Sequence, residues 1–210
     1  VEPADAAPGH YSVQSFYAVF DPLVSGYQAS RAQLAQRTLV ASADGGYQVS
    51  GEAFAFGSAS GSSRGWYIDF PESDKTGERV VTNAVVMDGY LYFNSLLPGS
   101  DPCAPGGGRS YMLSSLSGFP PPHRSIGHLS QVGMLSAPVV LETGMTRSSR
   151  DAIGGRVVER RSQVVNFGTG GAKGMGAPDE NGAGATVLRA GRLSWREIPN
   201  WQERVNAQKK

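Results

Sequence analysis

The sequence predicts an all-β fold from three observations. Its 210 residues include 28 Gly and 13 Pro but only 18% charged residues, a composition that indicates many turns and few surface helices. Short runs rich in β-branched and aromatic residues recur between clusters of Gly, Pro, Asp and Asn, which is the pattern of strands. Asp44-Gly45 and Asp88-Gly89 each lie between two such runs, where Asp-Gly favours a hairpin turn.

Composition also limits the function classes. The apolar fraction of 40% is that of a soluble globular protein, and 19 Lys and Arg against 18 Asp and Glu leave no net field to attract nucleic acid. No run approaches the roughly 18 apolar residues of a membrane span, and residues 1–10 lack the features of a signal peptide. We therefore expect either a cytosolic chain or one whose targeting segment has been removed.

The first third of the chain contains one strand, one helical turn and one hairpin. Residues 1–10 form a Pro- and Ala-rich lead-in. Ser12–Phe20 alternates with large apolar groups on both faces, so this strand should be covered on both sides. Ser30–Gln36 is the one predicted helical turn, with Ser30 as its N-cap. The hairpin joins Thr38–Ala41 to Tyr47–Gly51.

The central stretch, Arg64–Gly118, has the clearest strand pattern. Four runs are predicted as strands: Trp66–Phe70, Val80–Met87, Tyr90–Leu97 and Ser110–Leu116. A type I′ turn at Asp88-Gly89 requires positive φ at both residues and makes the strands on either side antiparallel partners.

Strand signals are weaker in the last third. A stiff Pro-rich connector covers 118–123, and a glycine-rich loop covers 168–184. Strands are predicted at Pro138–Glu142, Gln163–Phe167, Thr186–Leu188 and Leu193–Ile198. Residues 199–210 form a charged C-terminal tail.

The predicted strands repeat. Thr82–Met87 followed by Tyr90–Ser95 is echoed by Leu135–Leu141 followed by Gln163–Gly168, at a spacing of about fifty residues. Four strands per repeat at this period predict antiparallel four-stranded blades of a β-propeller. The blades would cover 11–70, 79–132 and 135–198, about two and a half blades, whereas a propeller closes with at least about four.

Because of this deficit, we expect unpaired edges and a chain that is the C-terminal part of a larger propeller. Trp66 and Trp195 occupy equivalent positions in two of the repeats. We expect both rings to pack between blades.

Three segments resemble a known family. GWYIDFP at 65–71, GERVVTNAVV at 77–86 and FNSLLPGSDPCAPGGGRSYMLSSLSG at 93–118 resemble the C-terminal β-propeller of the PilC/PilY-type adhesins, which are associated with the tips of bacterial type IV pili. The similarity runs with gaps from about Tyr11 to Ile198, and its most specific piece is Ser100–Cys103.

The resemblance implies a cell-surface or pilus-tip protein, exported through the periplasm and outer membrane. Such a protein supports pilus assembly, opposes retraction and mediates adhesion without catalysis. The implied partners are the remainder of the propeller or the N-terminal region of the parent protein, minor pilins, and a host surface or receptor.

The family also carries an Asp-rich calcium loop, for which the nearest candidate is Asp179–Gly182. A calcium loop would need an acid at 177 and a bidentate Glu at 188, where this chain has Ala177 and Leu188. We therefore expect no cofactor in this chain. Cys103 is its single cysteine, so an internal disulfide is excluded, and the Pro/Gly-rich surroundings of Cys103 predict exposure.

No catalytic, cofactor-binding or metal residue is assigned from the sequence. Gly57–Gly61 misplaces the serine of a nucleophile elbow, and Gly168–Gly174 matches neither nucleotide-binding fingerprint. The three histidines, His10, His123 and His128, lack metal-ligand spacing. An acidic cluster is formed by Asp69, Glu72, Asp74 and Glu78, and it is interpreted either as a solvated loop or as a weak cation site.

Two rival functions stay open. A quinoprotein-like propeller dehydrogenase shares short blades with an aromatic-rich strand, but it needs a cofactor pocket with a catalytic Asp and calcium ligands, and the sequence does not reveal one. An outer-membrane scaffold propeller is the other rival, and the Ser100–Cys103 segment argues against it.

Overall fold

The computed structural model describes residues 11–55, 63–99, 106–148, 156–169 and 183–190. The all-β prediction is confirmed. The strands are β1 Ser15–Val19, β2 Ala35–Ala41, β3 Tyr47–Ser50, β4 Gly65–Asp69, β5 Val85–Met87, β6 Tyr90–Leu97, β7 Gly107–Ser114, β8 His128–Leu129, β9 Val139–Ser148, β10 Arg156–Val165 and β11 Ala183–Ala190. The chain divides into two compact units, 1–141 with 162–184 and 142–161 with 185–210. All sites discussed below lie in the first unit.

The helical content is small and differs from the prediction. Within Ser30–Gln36 only Arg31–Gln33 is helical, as a 3-10 turn, because Ala35 already begins β2. The Gln33 side chain accepts a hydrogen bond from the Ser30 amide at 2.9 Å and closes this turn. A second short helix, α1 Ser73–Thr76, was not predicted. No helix within the described ranges is long and apolar enough to cross a membrane.

The first sheet has the strand order β1-β4-β2-β3. The β2–β3 hairpin forms as predicted, and Asp44 Oδ1 accepts a hydrogen bond from the Gly46 amide at 3.1 Å inside its turn. However, β4 lies between β1 and β2, antiparallel to β1 and parallel to β2. The prediction of an antiparallel four-stranded blade over 11–70 is therefore wrong, because β4 follows a long connection and inserts between two earlier strands.

The second sheet, β5-β6-β7-β8, is an antiparallel meander. Its first turn confirms the hairpin prediction: Met87 pairs with Tyr90, and Asp88 and Gly89 have φ of 51° and 80°, the two positive values of a type I′ turn. Each strand of this sheet lies beside the next one along the chain, which is the order that a blade over 79–132 would have.

The third sheet has the order β11-β10-β9. The strand predictions at Pro138–Glu142, Gln163–Phe167 and Thr186–Leu188 fall on these three strands. The described strands form no closed ring, and only the second sheet has four strands in chain order. The structure thus shows an all-β chain with mainly antiparallel sheets, and blades of a propeller are not confirmed.

The first two sheets share one hydrophobic core. Its buried members are Leu39, Trp66, Ile68, Phe70, Leu91, Phe93, Tyr111, Leu113 and Ile126. Phe16 of β1 stacks on Phe93 of β6 with ring centroids 4.0 Å apart, and Phe93 stacks in turn on Tyr111 at 4.9 Å. Trp66 is fully buried and its Nε1 donates to the Ser115 carbonyl at 3.1 Å, so its predicted burial is confirmed.

Candidate functional site

The structure separates the four acidic residues that the sequence placed in one cluster. Asp69 accepts two hydrogen bonds from Arg31, Glu72 pairs with Lys75 in an exposed i, i+3 contact, and Glu78 is buried. No group of three or more His, Cys, Asp or Glu residues that could hold a metal exists in the described ranges. The described carboxylates therefore do not come together as one site, and the interpretation as a solvated loop is wrong for Glu78, which is buried.

Several residues and segments considered as candidates from the sequence lie outside the described residues. They are His10, Gly57–Gly61, Cys103, Asp179–Gly182, Trp195 and most of Gly168–Gly174. His123 is described and lies in an exposed turn, where the Arg124 amide donates to the Pro121 carbonyl at 3.2 Å and His123 has φ of 62°. Polyproline II, the expected conformation of the Pro-rich connector, has negative φ, so the positive φ of His123 shows that the chain bends at the end of this connector.

Glu78 is the centre of a buried polar network. Its side chain is almost fully buried, and its Oε1 accepts hydrogen bonds from Ser95 Oγ at 2.6 Å and from Tyr111 Oη at 2.7 Å. Arg109 Nε lies 3.8 Å from Glu78 Oε2, which is an ion-pair distance. Burial, reinforced by the charge of Glu78, raises the pKa of Tyr111 well above its ordinary value, so its hydroxyl stays a donor.

Arg109 extends this network to the opposite sheet. Its Nη1 donates to the Gly127 carbonyl at 2.6 Å, and its guanidinium lies 5.0 Å from the centre of the Tyr47 ring. The β6–β7 register places Ser95 directly opposite Arg109, which brings both groups to Glu78. Hydrogen bonds of the buried Glu78 thus link β6 to β7. The contact between Arg109 and the Tyr47 ring links β7 to β3 of the first sheet.

Ser125, His128 and Asp44 form a second polar cluster that the sequence did not reveal. Ser125 Oγ donates to Asp44 Oδ2 and lies 3.0 Å from His128 Nε2. The hydrogen bonds from Ser125 and then from the Gly46 amide lower the pKa of Asp44 to about 2. The cluster fastens the turn between β2 and β3 to the loop before β8.

This cluster contains the residue types of a hydrolytic triad but not the arrangement. In a triad the hydroxyl and the carboxylate contact opposite nitrogens of the imidazole. Here Asp44 Oδ2 lies 3.9 Å from His128 Nε2, the same nitrogen that contacts Ser125. The two amides that follow Ser125 already donate to the Tyr47 and Ser110 carbonyls, so neither is available as an oxyanion donor.

Arg37 is a buried cation in the first sheet. Its Nε donates to the Ser117 carbonyl at 2.8 Å and its Nη1 to the Gln36 carbonyl at 3.1 Å, while Nη2 has no hydrogen-bond partner among the described residues. The guanidinium lies between the rings of Phe54 and Phe119, 4.9 and 4.2 Å from their centres. Burial lowers its pKa. Arg37 thus ties the loop after β7 to β2.

Arg31 is the centre of an exposed cluster on the outer face of the first sheet. It donates to both carboxylate oxygens of Asp69 and to Tyr17 Oη at 2.6 Å, and it lies 4.0 Å from the centre of the Tyr67 ring. The bonds to Asp69 raise the pKa of Arg31. This face combines a planar cation with the half-exposed ring of Tyr17, whereas Tyr67 beneath them is largely buried. Arginine and tyrosine are enriched in protein-binding surfaces.

A cleft lies on the face of the second sheet that points away from the shared core. Asn94 is buried in its wall and donates to Asn166 Oδ1 at 2.9 Å and to the Ser136 carbonyl at 2.7 Å. The free volume of the cleft is about 20 Å³. This is room for a water molecule and far below the roughly 300 Å³ at which organic ligand pockets begin.

Comparisons with known proteins give no match: no protein-family model fits the chain, and neither curated proteins nor solved structures are similar to it.

The buried polar groups described above bond mainly to one another and to backbone carbonyls, and they link strands and loops of the core. Among the described residues, the Arg31 face and the edge of β1, an outer strand of the first sheet, are two surface features open to contacts with other molecules.

Proposed function

We propose that this chain is part of a non-enzymatic surface protein at the tip of a type IV pilus, where it supports assembly, opposes retraction and mediates adhesion. The observation that carries the proposal is the resemblance of Arg64–Gly118 to the PilC/PilY-type adhesins. Support comes from the position of this stretch in the fold, since it supplies β4 to β7 and most of the shared core.

The proposal includes a larger β-propeller, of which the three sheets are a part. The meander β5-β6-β7-β8 supports it, because a blade has this strand order. Remaining blades would come from the rest of the parent protein. Minor pilins and a host surface are the proposed partners, and the exposed Arg31 face offers a surface of suitable composition.

The test is a deletion of the gene that encodes this chain in its own bacterium, complemented by the intact gene. We expect fewer sheared surface pili, reduced twitching and reduced attachment to epithelial cells. Removing the retraction motor as well should restore surface pili, because a protein that opposes retraction is then no longer needed. Normal piliation, twitching and attachment in the deletion strain would contradict the proposal.

A cofactor assay distinguishes the main rival. The purified chain is incubated with a quinone cofactor and Ca²⁺, and dehydrogenase activity is measured with an alcohol substrate and a redox dye. Cofactor-dependent turnover would favour the quinoprotein function over the pilus proposal. We expect no dehydrogenase activity above that of the heat-treated control.

A further inference from the structure

β1 is one of the two outer strands of its sheet, and half of its backbone polar groups point away from that sheet. The Phe70 amide donates to the Gln14 carbonyl across the β1–β4 pair at 3.0 Å. Because an antiparallel ladder alternates, the bonds to β4 fall on even-numbered residues of this strand. The N–H and C=O groups of Ser15, Tyr17 and Val19 therefore face the open edge, where none of the described strands pairs with them.

A groove begins where β1 ends. Its free volume is about 430 Å³, and its walls are formed by Val19, Phe20, Asp21, Val24, Gly26, Tyr27 and Ala29. The Tyr27 hydroxyl is buried and has no hydrogen-bond partner in the part of the chain that the structure describes. The hydroxyl oxygen is enclosed by protein atoms, so Tyr27 contributes its ring and not its hydroxyl to the wall of the groove.

Asp21 is the one charged residue that lines the groove, whose surface is more polar than apolar, and the Arg64 guanidinium lies 5.3 Å from the centre of the Tyr27 ring in its wall. Asp21 Oδ1 accepts a hydrogen bond from the Leu23 amide at 2.8 Å, and no cation forms an ion pair with Asp21 among the described residues. Tyr17, Val19 and Val24 beside it are 45%, 49% and 64% exposed. Exposed apolar side chains beside a carboxylate that lacks an ion-pair partner in the described part of the chain fit a segment that has apolar side chains and one basic side chain.

We propose that the β1 edge and this groove bind an extended segment of a partner polypeptide, which adds to the sheet as a further strand and places a basic side chain against Asp21. An extended backbone repeats its donors and acceptors every two residues, with the spacing of the open groups of β1. The edge geometry supports this site independently of the pilus proposal and goes beyond it.

Charge complementarity selects a different polypeptide over a second copy of this chain. Neither β1 nor the groove contains Lys or Arg. Arg31 contacts the Ser15 and Tyr17 side chains of β1, but both carboxylate oxygens of Asp69 already hold it, so a second β1 strand would bring no unpaired cation to Asp21. A lipid or an apolar small molecule would leave the open backbone groups of β1 without partners. The proposed segment therefore has alternating apolar residues and a Lys or Arg near the end that enters the groove.

The probe is a library of random peptides displayed on phage and selected against the immobilised whole chain, followed by titration of the enriched peptides as synthetic peptides. The test variant is Val19→Pro, which removes an open-edge N–H without removing a bond to β4. We expect it to weaken binding by about tenfold or more, the loss of about 1.4 kcal/mol. Asp21→Asn should weaken binding by about two- to fivefold, the range of an exposed ion pair.

Val86→Pro is the matched control. Val86 is 63% exposed in β5, the outer strand of the second sheet, and its neighbour Met87 forms the hydrogen-bonded pair beside the hairpin turn. The Val86 N–H therefore also faces an open edge. Binding to this variant should equal binding to the unchanged chain.

Three results would overturn the proposal: no peptide is enriched, the enriched peptides bind Val19→Pro as tightly as the unchanged chain, or they lack a basic residue and ignore Asp21→Asn. Sedimentation that shows a dimer sensitive to Val19→Pro would assign the edge to a second copy instead. If circular dichroism shows that Val19→Pro does not fold, Asp21→Asn decides, and it must weaken binding by at least about twofold.

Discussion

Replacing Glu78 by Ala removes the acceptor at the centre of the buried network. Ser95 and Tyr111 would each keep a buried hydroxyl without its present acceptor, and Arg109 would lose the carboxylate that lies 3.8 Å from its Nε. These side chains lie between the two sheets, where water does not readily replace the lost partner. Glu78→Ala should therefore strongly lower the free energy of unfolding.

The magnitude follows from the number of orphaned groups. A buried polar group left without a partner costs about 1–3 kcal/mol, and breaking a buried ion pair by removing one partner costs about 3–5 kcal/mol. Because the hydroxyls can rotate toward other acceptors, these costs overlap, and we expect a total of about 3–5 kcal/mol. Glu78→Gln keeps an acceptor at Oε1 but loses the charge, so we expect a smaller loss of about 1–2 kcal/mol.

The assay is urea unfolding followed by far-ultraviolet circular dichroism, with a double-mutant cycle between Glu78→Ala and Tyr111→Phe. Contact between the two side chains predicts a coupling energy of about 1–3 kcal/mol. Glu52→Ala is the control, since Glu52 is exposed and should change stability by less than about 0.5 kcal/mol. A loss below about 1 kcal/mol for Glu78→Ala, or a coupling near zero, would refute the reasoning.

The other predictions concern the core, two turns and acid stability. Trp66→Ala should lower the free energy of unfolding by about 3–5 kcal/mol in urea unfolding, because it empties a fully buried indole site; an unchanged midpoint would contradict it. Gly89→Ala should lower the free energy of unfolding by only about 1 kcal/mol, since a Cβ there meets open space and only φ is strained. Gly118→Ala should lower it further in the same assay, because the new Cβ would lie 2.6 Å from Trp66 Cδ2. The pKa of Asp44 is about 2 in the fold against an ordinary value of 3.8, so its contribution to stability is present above pH 3.8 and is lost as pH falls toward 2. Asp44→Asn should remove that part of the acid dependence of stability, and an identical acid profile for both chains would show that Ser125 and Asp44 do not interact in solution.

Local patterns were sufficient for most strands and for both hairpins. The type I′ turn at Asp88-Gly89 depends on two neighbouring residues that tolerate positive φ, so it can be recognised without knowledge of the rest of the fold. The burial of Trp66 could likewise be expected, because it lies in a strand whose neighbours are almost all large and apolar. The sequence could also have shown that Arg37 points into the core, because it lies two residues before the buried Leu39 in β2 and residues two apart share one face of a strand.

The candidate polar sites could not be derived in this way. Glu78 and Asp69 look alike in the sequence, yet Glu78 is buried against Tyr111 and Asp69 faces Arg31 on an outer surface. Ser125 and Asp44 are 81 positions apart and meet only because the β2–β3 turn lies beside the loop before β8. Which charges are buried depends on such long-range neighbours, and a single sequence does not encode their distances explicitly.

The sequence by itself determined the all-β class, most strand positions and the hairpin turns, because alternation and turn residues act over a few neighbouring positions. It did not reveal β8, and of the strand predicted at Val80–Met87 only Val85–Met87 forms. Only the tertiary structure decided the order of the strands. β4 enters between β1 and β2 because its apolar residues, Trp66 and Ile68, bury most surface when they face the core between the two sheets. That placement leaves β1 at the edge with its open backbone groups, a consequence of packing between distant segments that no local pattern contains.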